Sequence, residues 1–156
     1  MTHYKPRGRY FEDMSVGQEF TTFGRTVTEA DIVNYAGVSG DYNTIHTDAE
    51  YAKSERTGER VAHGLLVLSI ASGLLVQLGL LEGTIILLTS LDWKFKGVVK
   101  IGDTIHVRGE IKQMKRMKAL GGGMVVILLK VVTQRGETVQ VGEWSALVRS
   151  RPDAAG

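Results

Sequence analysis

The 156-residue chain contains no cysteine. That excludes a disulfide scaffold and thiolate metal sites, and gives no support to an oxidising compartment. Only two prolines occur, so there is no proline-rich linker. Charge of one sign is also lacking. Lys and Arg number 19 against 17 Asp and Glu, for a net charge of +2, far from the one-sided basic footprint of a nucleic-acid binder. No nucleic-acid partner is expected. The strongly apolar stretch 65–81 is interrupted by Ser69, Ser72, Gly73, Gln77 and Gly79. It falls short of the roughly 20 apolar residues of a spanning helix. It reads as a buried core helix, and no membrane partner is expected. The polar, basic start at residues 1–7 lacks the apolar core of a signal segment, so a cytoplasmic location is expected.

What is present fits one globular domain. Hydrophobic residues make up 43% and charged residues 23%, close to globular averages, and the length suffices for a real core. The expected layout is a single domain over 1–156, with an N-terminal arm at 1–15, a core over about 16–149 and a frayed C-terminus at 151–156. Tyr10, Phe11 and Met14 are apolar enough to tuck the arm against the body, and Val16-Gly17 reads as a turn.

A first strand is expected from Glu19 to Val27. Thr28-Glu29-Ala30-Asp31 has the spacing of a capping box, followed by a short helix that Gly37 and Gly40 bracket at its end. Residues 39–62 read as loop with one helical piece at 47–53, capped by Thr47. Gly64 to Leu78 is the main helix, apolar on nearly every side, with Ser69, Ser72, Gly73 and Val76 sharing one face. Strands are expected at 84–96, 104–117, 124–134 and 137–150, as a four-strand antiparallel meander. The economical packing is an α+β fold in which an antiparallel β-sheet wraps around the long central α-helix. So small a unit leaves a face open, and a homodimer or higher homo-oligomer is expected.

The chemistry concentrates in Ser39-Gly40-Asp41-Tyr42-Asn43-Thr44-Ile45-His46, followed by His63-Gly64 at the start of the main helix. An isolated Asp and His in a loop are ordinarily a turn residue and a cap. Here a carboxylate and an imidazole sit five residues apart, shortly before a helix N-terminus. Together they supply an acid–base pair and backbone N–H donors for an oxyanion. Asp41 and His46 are the candidate catalytic pair. Gly64 is the candidate oxyanion donor, because without a side chain its N–H can be approached closely. Asn43 can pin the loop by an Asx-type bond. Ser72 lacks a Gly-x-Ser-x-Gly elbow and is rejected as a nucleophile. A role in steering substrate or bonding to His46 stays open. His63 is a supporting neighbour. His46 and His63 have no further ligands at recognisable spacing, so no metal site is expected, and no cofactor. His3 and His106 read as tail or solvent-facing residues. The basic run Lys112, Lys115, Arg116 and Lys118 reads as a solvated hairpin.

These residues carry a family resemblance. Ser39-Gly40-Asp41-Tyr42-Asn43-Thr44-Ile45-His46, then Thr47-Asp48, Tyr51-Ala52 and Ala62-His63-Gly64, resemble the core motif of the MaoC-like hydratases, the (R)-specific enoyl-CoA hydratase family with the hot-dog fold. The helix from Thr28 and the segment 99–104 are also family-like, and the resemblance covers roughly residues 16–149. It implies reversible syn hydration of a trans-2-enoyl-CoA to an (R)-3-hydroxyacyl-CoA. Asp41 and His46 match the pair that activates water, Gly64 the thioester-binding glycine, Asn43 the loop-fixing asparagine, and Ser72 a serine near the catalytic groups in some members. The implied partner is an acyl-CoA or acyl carrier protein thioester. Thr44 departs from the family pattern, which has proline there. A hot-dog acyl-CoA thioesterase and a non-catalytic acyl-CoA-binding module are the alternatives.

Overall fold

The computed structural model describes residues 6–152. The first five residues of the expected arm, with His3, and the frayed end from Asp153 onward lie outside the described residues. The described part of the arm folds onto the body: a 3-10 turn at Phe11–Asp13 buries Phe11, and Met14 is buried too.

A six-stranded antiparallel sheet faces a 14-residue helix. The strands are β1 (Glu19–Thr21), β2 (Arg25–Thr26), β3 (Ile85–Phe95), β4 (Thr104–Met117), β5 (Gly122–Thr133) and β6 (Thr138–Arg149). Ile105, Val107, Ile111, Val125, Ile127, Leu129 and Val131 alternate along β4 and β5 and are fully buried, as period-two patterning requires of a sheet with one core face. They form one cluster with Leu66, Val67, Ile70, Ala71, Leu74 and Leu75 of the helix.

Four helices lie between the first strands and β3. Helix α1 (Glu29–Ser39) begins at the expected capping box, with Thr28 accepting from the Asp31 N–H while the Asp31 carboxylate accepts from the Thr28 N–H, and it ends at Gly40 in the left-handed region. Helix α2 (Thr44–Thr47) is capped by Asn43, α3 (Ala49–Ser54) by Asp48, and α4 (Gly64–Gln77) is the main helix.

Several expectations are corrected. The first strand is broken into β1 and β2, because the Thr22 hydroxyl accepts from the Val107 N–H and interrupts the pairing. Asp48, not Thr47, caps α3: its carboxylate accepts from both Glu50 and Tyr51. The main helix is buried on one side only, with Leu65, Ser69, Val76 and Gln77 exposed. His106 is half-buried. The four-strand meander is a three-strand meander, β4-β5-β6, with β3 at the far edge beside β6. The cause is the connection at residues 96–103, which is too long for a tight hairpin. It is drawn away by pairing of Val61 with Lys100 and by the Ala62 N–H donating to Val99.

That connection ends in a buried carboxylate. Burial by itself would raise the Asp103 carboxyl. Arg135, the Lys100 N–H and the Gln134 amide outweigh that effect and hold it down, to about 2.

Candidate active site

The segment 40–64 is assembled largely by short-range bonds. The Asp41 N–H donates to the Ser39 hydroxyl, the Asn43 N–H to an Asp41 carboxylate oxygen (3.2 Å), and the Ile45 N–H to the Asn43 side-chain oxygen. These Asx-type bonds make the turn and start α2, whose one full turn carries His46. The α2 helix was not expected, because four residues are too few to show a helical period. The Asn43 side chain caps α2 by accepting from the Ile45 N–H.

Two long-range bonds then fix the imidazoles. His46 Nδ1 lies 2.7 Å from the Val61 carbonyl. A carbonyl only accepts, so Nδ1 carries the proton and Nε2 of the neutral ring is left as an acceptor. His63 Nε2 lies 2.9 Å from the backbone carbonyl of Asp41 and donates to it. The other nitrogen of His63 is buried without a hydrogen-bond partner among the described residues. The two rings stack with centroids 3.8 Å apart, and Tyr35 tilts against His63 at 5.0 Å. His63 is therefore the buried floor on which His46 rests.

Asp41, His46 and His63 are brought together. A carboxylate oxygen and one ring nitrogen from each histidine all lie within 4.8 Å of one another. Asp41 is exposed, His46 half-buried and His63 buried. Spacing along the chain did not reveal this grouping as a set of three. It is also where the described residues could hold a metal ion.

Gly64 opens α4 directly after His63. Its N–H makes no hydrogen bond among the described residues, and no side chain caps this helix. It is one of the orphan donors of a helix start, aimed outward at its positive end. A Cβ on Gly64 would lie 2.9 Å from ring atoms of Phe95, so a side chain there would displace that ring. Ser72 lies two turns further along, half-buried, and among the described residues its hydroxyl forms no bond to His46. Ser69 bonds back to Leu65 instead, the usual habit of a mid-helix serine.

Gln140 was missed. It is 2% exposed on β6; its amide nitrogen donates to the Gly64 carbonyl (2.8 Å) and its oxygen accepts from the Trp93 indole (2.9 Å). Read locally, Val139-Gln140-Val141 places the glutamine outward. A bulge opposite Val131 and Val132 makes Val139 the extra residue and sets Gln140 on the core face with Trp144, Ala146 and Val148. Counting back from Trp144 in steps of two would have found it.

A long helix packed against a six-stranded antiparallel sheet is the architecture of the hot-dog fold. Residues 12–133 match the family described as the MaoC like domain, and the chain belongs to that family. Over 142 residues it is 32% identical to a protein of Rhodospirillum rubrum named (R)-specific enoyl-CoA hydratase, covering 91% of this chain and 93% of that one. It is 43% identical over 103 residues to Protein MaoC of Klebsiella aerogenes, covering 66% of this chain but only 30% of that longer protein. Among solved structures, a monoamine oxidase regulatory protein from Archaeoglobus fulgius superposes with a TM-score of 0.85 at 37% identity, covering 93% of this chain and 97% of the other. No helix of the described residues is long and apolar enough to cross a membrane.

Proposed function

We propose that the chain is an (R)-specific enoyl-CoA hydratase, equally a 3-hydroxyacyl-CoA dehydratase, acting in the cytoplasm as one catalytic domain. The observation that carries this is the convergence of Asp41 and His46 with His63, the residue directly before the Gly64 that starts α4. Water sits between the Asp41 carboxylate and the open Nε2 of His46. The pair takes a proton from it as its oxygen bonds to C3 of a trans-2-enoyl thioester. The proton reaches C2 on the same face, and the C2–C3 double bond becomes single. In between, charge builds on the thioester oxygen, where the Gly64 N–H donates. General acid–base help of this kind contributes about 10²–10⁴ in rate, and one oxyanion donor about 10²–10³. His63 supports His46 from below, Asn43 holds the loop, and Ser72 steers the substrate. The acyl group arrives on CoA or acyl carrier protein, and no cofactor takes part.

We also assign a second copy of the chain to strand β3, making a homodimer. It is an eleven-residue edge strand that exposes Ile85, Ile86, Leu87, Leu88, Leu91 and Phe95. An uncovered apolar edge of that length is an aggregation hazard unless it is paired.

The test is product analysis after incubation with crotonyl-CoA in the presence of a thiol reagent. The expected product is (R)-3-hydroxybutyryl-CoA with no free thiol. Release of free CoA would make the protein a thioesterase. Tight binding with no chemistry across short, long and branched enoyl-CoAs would make it a binding module.

A further inference from the structure

Gln140 costs the fold something, because a buried primary amide must have its donors and acceptor met in a place where leucine or methionine would simply pack. Its orientation is determined by its neighbours: the nitrogen faces the Gly64 carbonyl, which only accepts, and the oxygen faces the Trp93 indole N–H, which only donates. A flipped amide would fail at both ends. The bond reaches Gly64 and no other residue of α4. On the same glycine, Phe95 closes the space where a side chain would begin. Gly64 is thus gripped by β6 through Gln140 and by β3 through Phe95, while Trp93 of β3 locks the gripping amide.

We propose that Gln140 is a positioning residue for the reaction: it fixes the peptide planes at the start of α4 so that the Gly64 N–H meets the oxyanion in the geometry the transition state needs. This rests on the hydratase reading given above. A donor helps in proportion to how well it is preorganised toward the charge that develops, and small misplacements of such groups cost rate far more than they cost binding. The indole of Trp93 extends the arrangement to the exposed edge strand, so the setting of the donor depends on β3 keeping its place.

The test uses the full chain with Gln140→Leu, Gln140→Glu and Trp93→Phe. Thermal melts first establish that each is folded. For Gln140→Leu, kcat for crotonyl-CoA hydration is expected to fall about 10–100-fold, with KM changed by less than about threefold, the signature of an interaction realised in the transition state. Gln140→Glu supplies a readout that a merely structural role would not move. A buried carboxyl facing a carbonyl has its pKa raised. Once protonated, it again donates to Gly64 and accepts from Trp93. The ratio of its kcat to wild type should therefore climb as pH falls, while the ratio for Gln140→Leu stays flat. Trp93→Phe should lose about 3–10-fold, since the amide is loosened but kept. The proposal is overturned if folded Gln140→Leu keeps wild-type kcat, or if the Gln140→Glu ratio does not change with pH. An inactive wild type would overturn the hydratase reading instead. The amide resonance of Gly64 would then decide the positioning role: a pH-dependent shift in Gln140→Glu absent from wild type upholds it, and none removes it.

Discussion

The β4–β6 sheet and the segment 40–64 are built by opposite means. In the sheet, partners are far apart in sequence, Ile105 against Thr133 and Ile127 against Trp144, and the inward side chains are fully buried. In 40–64, Asp41, Tyr42 and Asn43 are exposed, and most bonds join residues two or three apart. Longer bonds tie it down at its far end: Val61 to His46 and Ile45, His63 to Asp41, Arg60 to Glu29, Ala62 to Val99 and Gly64 to Gln140. The sheet thus holds the stability, and the segment, resting on it through a few contacts, holds the reactive groups. Exposed, locally bonded segments contribute little to global stability but can carry function. The two regions meet at Gly64.

That division can be attacked from both sides. The largest effect should come at the meeting point. Gly64→Ala would place a methyl 2.9 Å from ring atoms of Phe95, so the ring must move. It would also crowd the thioester oxygen, so hydration should drop about 10²–10³-fold, a larger effect than the loss of melting temperature; a large loss of stability with turnover kept would break the division. In the sheet, Ile127→Ala should cost about 2–5 kcal/mol in urea unfolding with kcat nearly unchanged at temperatures where the protein stays folded.

Asp103 offers a pH handle. Its carboxyl is held near 2, below the ordinary carboxylate value of 3.8. Its contribution is present above that unfolded value and is lost as pH falls through 3.8 toward 2, for about 2 kcal/mol in all. Asp31 is also lowered, by Thr28 and Arg25 against the opposing effect of burial. The comparison is therefore of wild type with Asp103→Asn: the wild-type stability curve should fall more steeply between pH 5 and 2, and parallel curves would refute the role. The smallest effect is expected at Thr44→Pro. Thr44 is the first residue of α2, and Asn43 before it is already extended, with ψ at 136°. Proline fits both positions, so a gain of about 0.4–1 kcal/mol with activity kept is expected from calorimetry.

What the sequence disclosed follows the same division. The bounds of four sheet strands, β3 to β6, were legible to within two residues, because glycine-rich turns punctuate them. The place of β3 was not, because strand order depends on where a connection is pulled, and residues 96–103 carry no local sign of the Val61–Lys100 pairing. The capping box of α1 was legible because its signal is four adjacent residues. In the site, Asp41, His46 and Gly64 were singled out by spacing and chemistry, but the grouping of Asp41 with both histidines was not. The stacking of the two rings and the tautomer of each were not, since both come from carbonyls reached only in the folded chain. Gln140 escaped because one bulge inverted the local alternation.

The central claim is that the chemistry sits on Asp41 and His46. The most direct measurement is the change in enoyl-thioester absorbance with crotonyl-CoA for wild type, Asp41→Asn and His46→Ala, each with its melting temperature. The account predicts turnover by wild type and losses of about 10²–10⁴-fold in both variants, with melting temperatures close to wild type. Activity that survives both substitutions in folded protein would contradict it.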